Sequence, residues 1–293
     1  MVLEDIIPGI VAERKPWEML PIAFLYATAA IFLSQWIFPA YAAIVAVFLT
    51  TIASLPLMIN VLSIEKDKEE GIHAYLKDML VSMFDKKGAH GKILEFFVFL
   101  FLGLTLATTF WFVVLPQDLA QNLFYIQINT IRDINIDLSG ASILQAYFSK
   151  VMLNNIKVLT FTILFSLIYG AGAIFILAWN ASVIGVAIGS SIKNAAVHYT
   201  EQIGLPNIAG YSTAVTVGLS RYLIHGIPEI MAYFIGALAG GMISLAIIKR
   251  EYESPKFKES LKHIVGLLIF AIVLLLVAAV IEINISPLIP LYR

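Results

Sequence analysis

The sequence predicts an all-α polytopic transmembrane helical bundle of six to seven spans, with two amphipathic interfacial helices beside them. Three observations carry that reading. Hydrophobic side chains make up 60% of the 293 residues and charged ones 13%, with a mean hydropathy of +0.88, more apolar surface than a soluble globule of this size hides. Apolar runs of about 20 residues recur, the length a helix needs to cross the hydrocarbon. Cationic residues gather in the stretches between these runs, as they do in cytoplasmic loops.

The first two runs, residues 19–38 and 40–62, are separated only by Pro39 and predict a tight helical hairpin. Residues 63–92 hold six lysines (Lys66, Lys68, Lys77, Lys86, Lys87, Lys92), while Ile72, Tyr75, Leu76, Met79, Leu80 and Met83 recur at helical spacing. That pattern describes an amphipathic helix lying on membrane lipid or docking a cytosolic partner through residues 64–84. A third span covers 93–115 and stops at Pro116. The organisation divides there, into a 1–115 N-terminal transmembrane region and a 116–293 core with an external segment at 117–156.

Inside that segment Ile143, Leu144, Tyr147, Phe148 and Val151 follow a Ser139-Gly140 start signal and predict the second interfacial helix. The fourth span is read as 157–178, ending at the Trp179-Asn180 turn. Residues 181–224 are apolar but punctuated by Gly185, Gly189, Lys193, Asn194 and Gly204-Leu205-Pro206, which predicts a short or broken helix and then a loop enclosed by other helices. Regular spans resume at 226–248 and 263–284 around a cationic loop, 249–262.

The loops 63–92 and 249–262 hold eleven of the 19 basic residues, which places both in the cytoplasm with the N-terminus. The return crossing this requires falls in 181–199, giving seven crossings of the plasma membrane and an external C-terminus. The first apolar segment follows acids as well as Arg14 and Lys15, so it is read as a retained span and not a cleavable signal. No cysteine occurs, which excludes disulfides, thiol nucleophiles and thiolate-bound metal. A formal net charge of −1 gives no basic field for nucleic acid, and no motif asks for a cofactor.

The polar residues of interest centre on His225-Gly226-Ile227-Pro228-Glu229. Pro228 suits the first turn of a helix, and Glu229 would there meet unpaired N–H groups and the positive end of the helix dipole. His225 and Glu229 stand four apart, on one helical face, with Arg221 one turn earlier as a competing partner for Glu229. His198 and Glu201 form a second pair, three apart. Together the two pairs are candidate ligands for a divalent metal, although no HExxH is present and the plainer reading is a mutually satisfied polar core with no metal. Gly236 and Gly240 make the spacing that lets a second membrane helix approach closely, within this chain or in a homo-oligomer, and Gly170, Gly172, Gly185 and Gly189 suit the same packing.

Asn154-Asn155 before a span, Gly170 and Gly172 late in it, Asn180 followed by Gly185 and Gly189, and then His225 to Glu229 with Gly236 and Gly240 beyond make an ordered set over residues 150–250. In this order and spacing the chain resembles the stage II sporulation protein M family of integral membrane proteins. The family's namesake looks like a membrane scaffold that recruits peptidoglycan-degrading partners during engulfment. The resemblance implies a non-enzymatic scaffold or assembly component in membrane or envelope remodelling. Two other readings stay open: the membrane subunit of a transporter coupled to a separate ATPase, and an intramembrane metal-dependent hydrolase using the two His/Glu pairs.

Overall fold

A computed structural model describes residues 15–66, 89–135, 143–169, 173–203, 208–248, 257–285 and 288. The described residues form nine α-helices and no strand: α1 (Met19–Ile37), α2 (Ala42–Lys66), α3 (Ala89–Val114), α4 (Gln117–Leu123), α5 (Tyr125–Asn135), α6 (Ile143–Tyr169), α7 (Ala173–Ile203), α8 (Ile208–Ile248) and α9 (Phe257–Asn284). Seven of them, α1 to α3 and α6 to α9, are long and apolar enough to cross a membrane. The chain is thus a multi-pass membrane protein.

Prolines mark the start of the bundle. Pro16 opens a 3-10 turn ahead of α1, closed by a Lys15–Glu18 ion pair at 3.2 Å, and Pro21 falls in the first turn of α1, where no helical N–H is missed. Pro39 starts a second 3-10 turn and closes the α1–α2 hairpin, as its place between two apolar runs predicts. In a low-dielectric interior an unpaired hydroxyl is costly, and most of the buried threonines, though not Thr105, bond back to their own helices. Thr50 donates to the Ala46 carbonyl at 2.8 Å, Thr108 to Leu104 at 3.0 Å and Thr162 to Val158 at 2.9 Å.

Two of the three apolar cores among the described residues hold the helices of the polar site in place. One joins α1, α2, α3, α7 and α8 around Met19, Leu100, Leu104, Ile174 and Phe234, with Phe97 and Phe234 stacked at 4.9 Å. The other joins α6, α8 and α9 around Leu159, Ile235, Ile264, Leu267 and Leu275. Glycines set how closely the helices approach. A Cβ on Gly103 would collide with the backbone oxygen of Leu20, so only glycine lets α3 lie against α1 there. A Cβ on Gly185 would stand 2.7 Å from Thr108 Cβ and 2.9 Å from the Thr105 oxygen, which seats α7 on α3.

Several expectations change. The interfacial helix expected at 143–151 and the span expected at 157–178 are one helix, α6, which ends at Tyr169. Trp179 and Asn180 do not end a span: they lie inside α7, where Asn180 satisfies its amide by donating to the Ile176 carbonyl at 2.8 Å. The stretch 181–224 is not a broken helix followed by a long loop. Regular helix runs to Ile203 and resumes at Ile208, so the irregular seventh crossing is a regular one, Ile174–Asn194. Glycine interrupts a helix only where its neighbours leave the backbone unsupported, and here Gly185 and Gly189 pack on α3. Pro228 also sits inside α8, far from its start, and denies the Ile224 carbonyl its helical donor. Residues 117–135 form two short helices that tuck into the bundle: Gln127 is buried on α5 and its amide reaches the Ser182 hydroxyl at 3.3 Å. The lysine-rich helix expected within 63–92, with its partner surface at 64–84, falls largely outside the described residues, as do Gly170 and Gly172.

Candidate functional site

The polar centre lies where α6, α8 and α9 meet. On α8 the residues His225, Glu229 and Tyr233 recur every four positions, so they form one stripe along the helix. Tyr233 is 4% exposed and its phenol donates to Glu229 Oε1 at 2.6 Å. The Tyr222 ring lies against His225, with centroids 6.3 Å apart. From α9 comes Glu282, and from the first turns of α6 comes Tyr147, whose phenol donates to Glu282 Oε1 at 3.1 Å. One ligand atom each from His225, Glu229 and Glu282 lies within 4.8 Å of the other two, and all three residues are half-buried.

Glycine packing creates this meeting point. A Cβ on Gly236 would collide with the Leu159 side chain, and one on Gly240 would stand 2.7 Å from the Ile163 carbonyl oxygen and 2.8 Å from Ser166 Cβ. The groove made by Gly236 and Gly240 is therefore filled by this chain's own α6, not left open for a second copy. Gly241, next along, has nothing within 4 Å of its Cβ position. α9 packs on the same helix through Ala232 and Ala239 against Ala271 and Leu275, and so brings Glu282 to Glu229.

Of the residues singled out in the sequence, His225 and Glu229 are together as expected from their spacing. The His198–Glu201 pair is not beside them. α7 and α8 run antiparallel, with Leu177 and Phe234 lining one small cavity, so residue 198 lies about 20 Å along the helix axes from residue 225 at 1.5 Å per residue. The side chains of His198, Glu201 and Arg221 are outside the described residues. Asn155 is buried on α6 with its Nδ2 unpartnered among the described residues, and Asn154 is exposed. Glu282 was missed, although it is an acid inside a long apolar run, where ionisable groups carry a raised functional prior. Tyr233 was missed as well, although it stands one turn after Glu229 on the same helical face.

With seven alternating spans, the starts of the fourth and sixth and the end of the seventh share one membrane face, so Tyr147, His225 and Glu282 belong together topologically as well. The cationic segments before the third and seventh spans fall on the opposite face.

The profile of the family described as stage II sporulation protein M matches residues 96–287. The chain is also 30% identical over 174 residues to an uncharacterised protein of Methanocaldococcus jannaschii, covering 57% of this chain and 88% of that one. No solved structure matches.

Proposed function

Because the chain belongs to the stage II sporulation protein M family, we propose that it is a non-enzymatic scaffold or assembly component of the cell membrane, acting in envelope remodelling. The observation that supports this most is the way the bundle is locked. At Gly103, Gly185 and Gly240 the neighbouring helix approaches to backbone contact, which suits a rigid platform. Among the described residues a cavity of about 20 Å³, room for one water, lies between α1, α2, α3, α5 and α7. A platform also needs a part that reaches out. α7 continues from Asn194, the end of its span, to Ile203, and α8 begins at Ile208, well before its own span starts at Ile224. At 1.5 Å per residue the α7–α8 hairpin rises roughly 15 Å past the apolar span of α7.

The hairpin shares its face with His225 and Glu282, and the positive-inside rule puts that face outside the cell. Two experiments test the proposal. A photoreactive residue at Thr216 or Val197, both exposed on the hairpin, should give the same protein adduct in cells, while one at the exposed Ile272 of α9 should give lipid adducts. Lipid adducts alone at both hairpin positions would sink the scaffold reading. The chain lacks cysteine, so Asp118→Cys and Lys258→Cys read orientation without background. An impermeant maleimide should label position 118 from outside and position 258 only after lysis; the reverse pattern would invert the orientation.

A further inference from the structure

We propose that His225, Glu229 and Glu282 bind one divalent transition-metal ion and so tie the middle of α8 to the C-terminal end of α9. The inference does not depend on the scaffold reading. It rests first on convergence: three ligand atoms from two helices lie within 4.8 Å of one another, although Glu282 is distant in sequence from His225 and Glu229. Ligand atoms around a tetrahedral ion stand about 3.4 Å apart, so side-chain rotation of about an ångström completes the geometry. The second ground is charge. Two carboxylates held this close at the end of a membrane span repel each other, and a dication cancels both charges at once in surroundings that solvate them poorly.

The third ground is the support behind the ligands. The Tyr233 phenol holds Glu229 Oε1 at 2.6 Å and the Tyr147 phenol holds Glu282 Oε1 at 3.1 Å. Such outer hydrogen bonds fix how a carboxylate presents its other oxygen to a metal. Donor chemistry sets the class of ion: one imidazole nitrogen and two carboxylate oxygens, with no thiolate anywhere in the chain, suit Zn²⁺ or Mn²⁺ and disfavour Cu(I) and iron–sulfur centres. Three protein ligands leave a position for water, in keeping with the half-buried state of the cluster. The site keeps His225 and Glu229 from the sequence expectation and uses Glu282 where His198 and Glu201 were expected.

The test uses the full chain in detergent micelles, stripped with chelator, titrated with Zn²⁺ and separately with Mn²⁺, and analysed for bound metal after desalting. Wild type should retain about one ion per chain and melt at higher temperature when loaded. Glu282→Gln and His225→Gln should each weaken binding by more than about 100-fold, and Tyr147→Phe by about 10-fold, the scale of an outer-shell loss. His198→Gln should leave binding unchanged. Should the ligand variants fail to fold, Co²⁺ on wild type decides: a visible band displaced by one equivalent of Zn²⁺ supports the site. Wild type that retains neither ion, or a folded Glu282→Gln that binds as wild type does, overturns it, and a proton shared by the two carboxylates then explains their closeness.

Discussion

Replacing Gly240 by alanine puts a methyl carbon 2.7 Å from the Ile163 carbonyl oxygen and 2.8 Å from Ser166 Cβ. Ordinary contact begins at 3.4 Å, so α6 must retreat from α8 by about 0.7 Å at that point, and the obstacle is backbone, which cannot rotate aside. Overpacking of this kind costs about 1–3 kcal/mol. Alanine also gains about 1 kcal/mol of helix propensity over glycine, which masks part of the loss. Gly241→Ala removes that ambiguity. It gains the same propensity in the same helix and meets nothing within 4 Å. The difference between the two variants therefore isolates the contact, and Gly240→Ala should be the less stable by about 1–3 kcal/mol. Unfolding in mixed detergent micelles, followed by tryptophan fluorescence, measures both. Equal midpoints, or a more stable Gly240→Ala, would refute the claim that backbone proximity at Gly240 sets the α6–α8 distance.

Other outcomes follow from single contacts. Gly185→Ala meets Thr108 Cβ at 2.7 Å and the Thr105 oxygen at 2.9 Å, so it should lower the melting temperature as Gly240→Ala does, whereas Gly226→Ala, with open space at its Cβ, should not. Tyr233→Phe keeps the ring and loses the 2.6 Å bond to Glu229, at a cost of about 0.6–1.7 kcal/mol, from the average to the largest value for hydrogen bonds inside a membrane bundle. Tyr147→Phe, losing a 3.1 Å bond, should cost less by the same unfolding assay. Lys193 donates to the Leu115 carbonyl at 3.2 Å, just past the end of α3, and lies 5.2 Å from the Phe112 ring centroid. Lys193→Met should destabilise by about 1 kcal/mol, and equal stability in thermal melts would assign the lysine to solvent.

The spans bounded by proline or by charge were legible: Pro39 and Pro116 mark ends that the helices respect, and the last two spans lie within a few residues of their apolar runs. The fourth and fifth were misplaced because polar and small residues were read as breaks. In a membrane bundle they serve packing and local hydrogen bonding instead. Asn180 bonds its own helix and Gly185 seats α7 on α3, and neither outcome is visible without the neighbouring helix. Pro228 misled in the same way, since a helix supported on two sides carries a proline through its interior. The candidate site was half legible. Local spacing pairs His225 with Glu229, but nothing local ties either to Glu282, whose approach depends on how α9 packs against α8.

The glycine contacts and the polar cluster arise from one helix register. Gly236 lies against Leu159 and Gly240 against Ile163, so α6 and α8 are aligned with an offset of 77 positions in both places. Carried back to the start of α6, that offset sets Tyr147 level with residue 224, beside His225, which is where its phenol meets Glu282. A shift of one residue at the glycines would turn α6 by about 100° and carry Tyr147 away. If the register controls the cluster, a folded Gly240→Ala should bind metal about as weakly as Tyr147→Phe, because both withdraw the phenol from Glu282. Wild-type affinity in Gly240→Ala together with weakened affinity in Tyr147→Phe would mean that α6 bends locally and the cluster is held independently of the glycine contact.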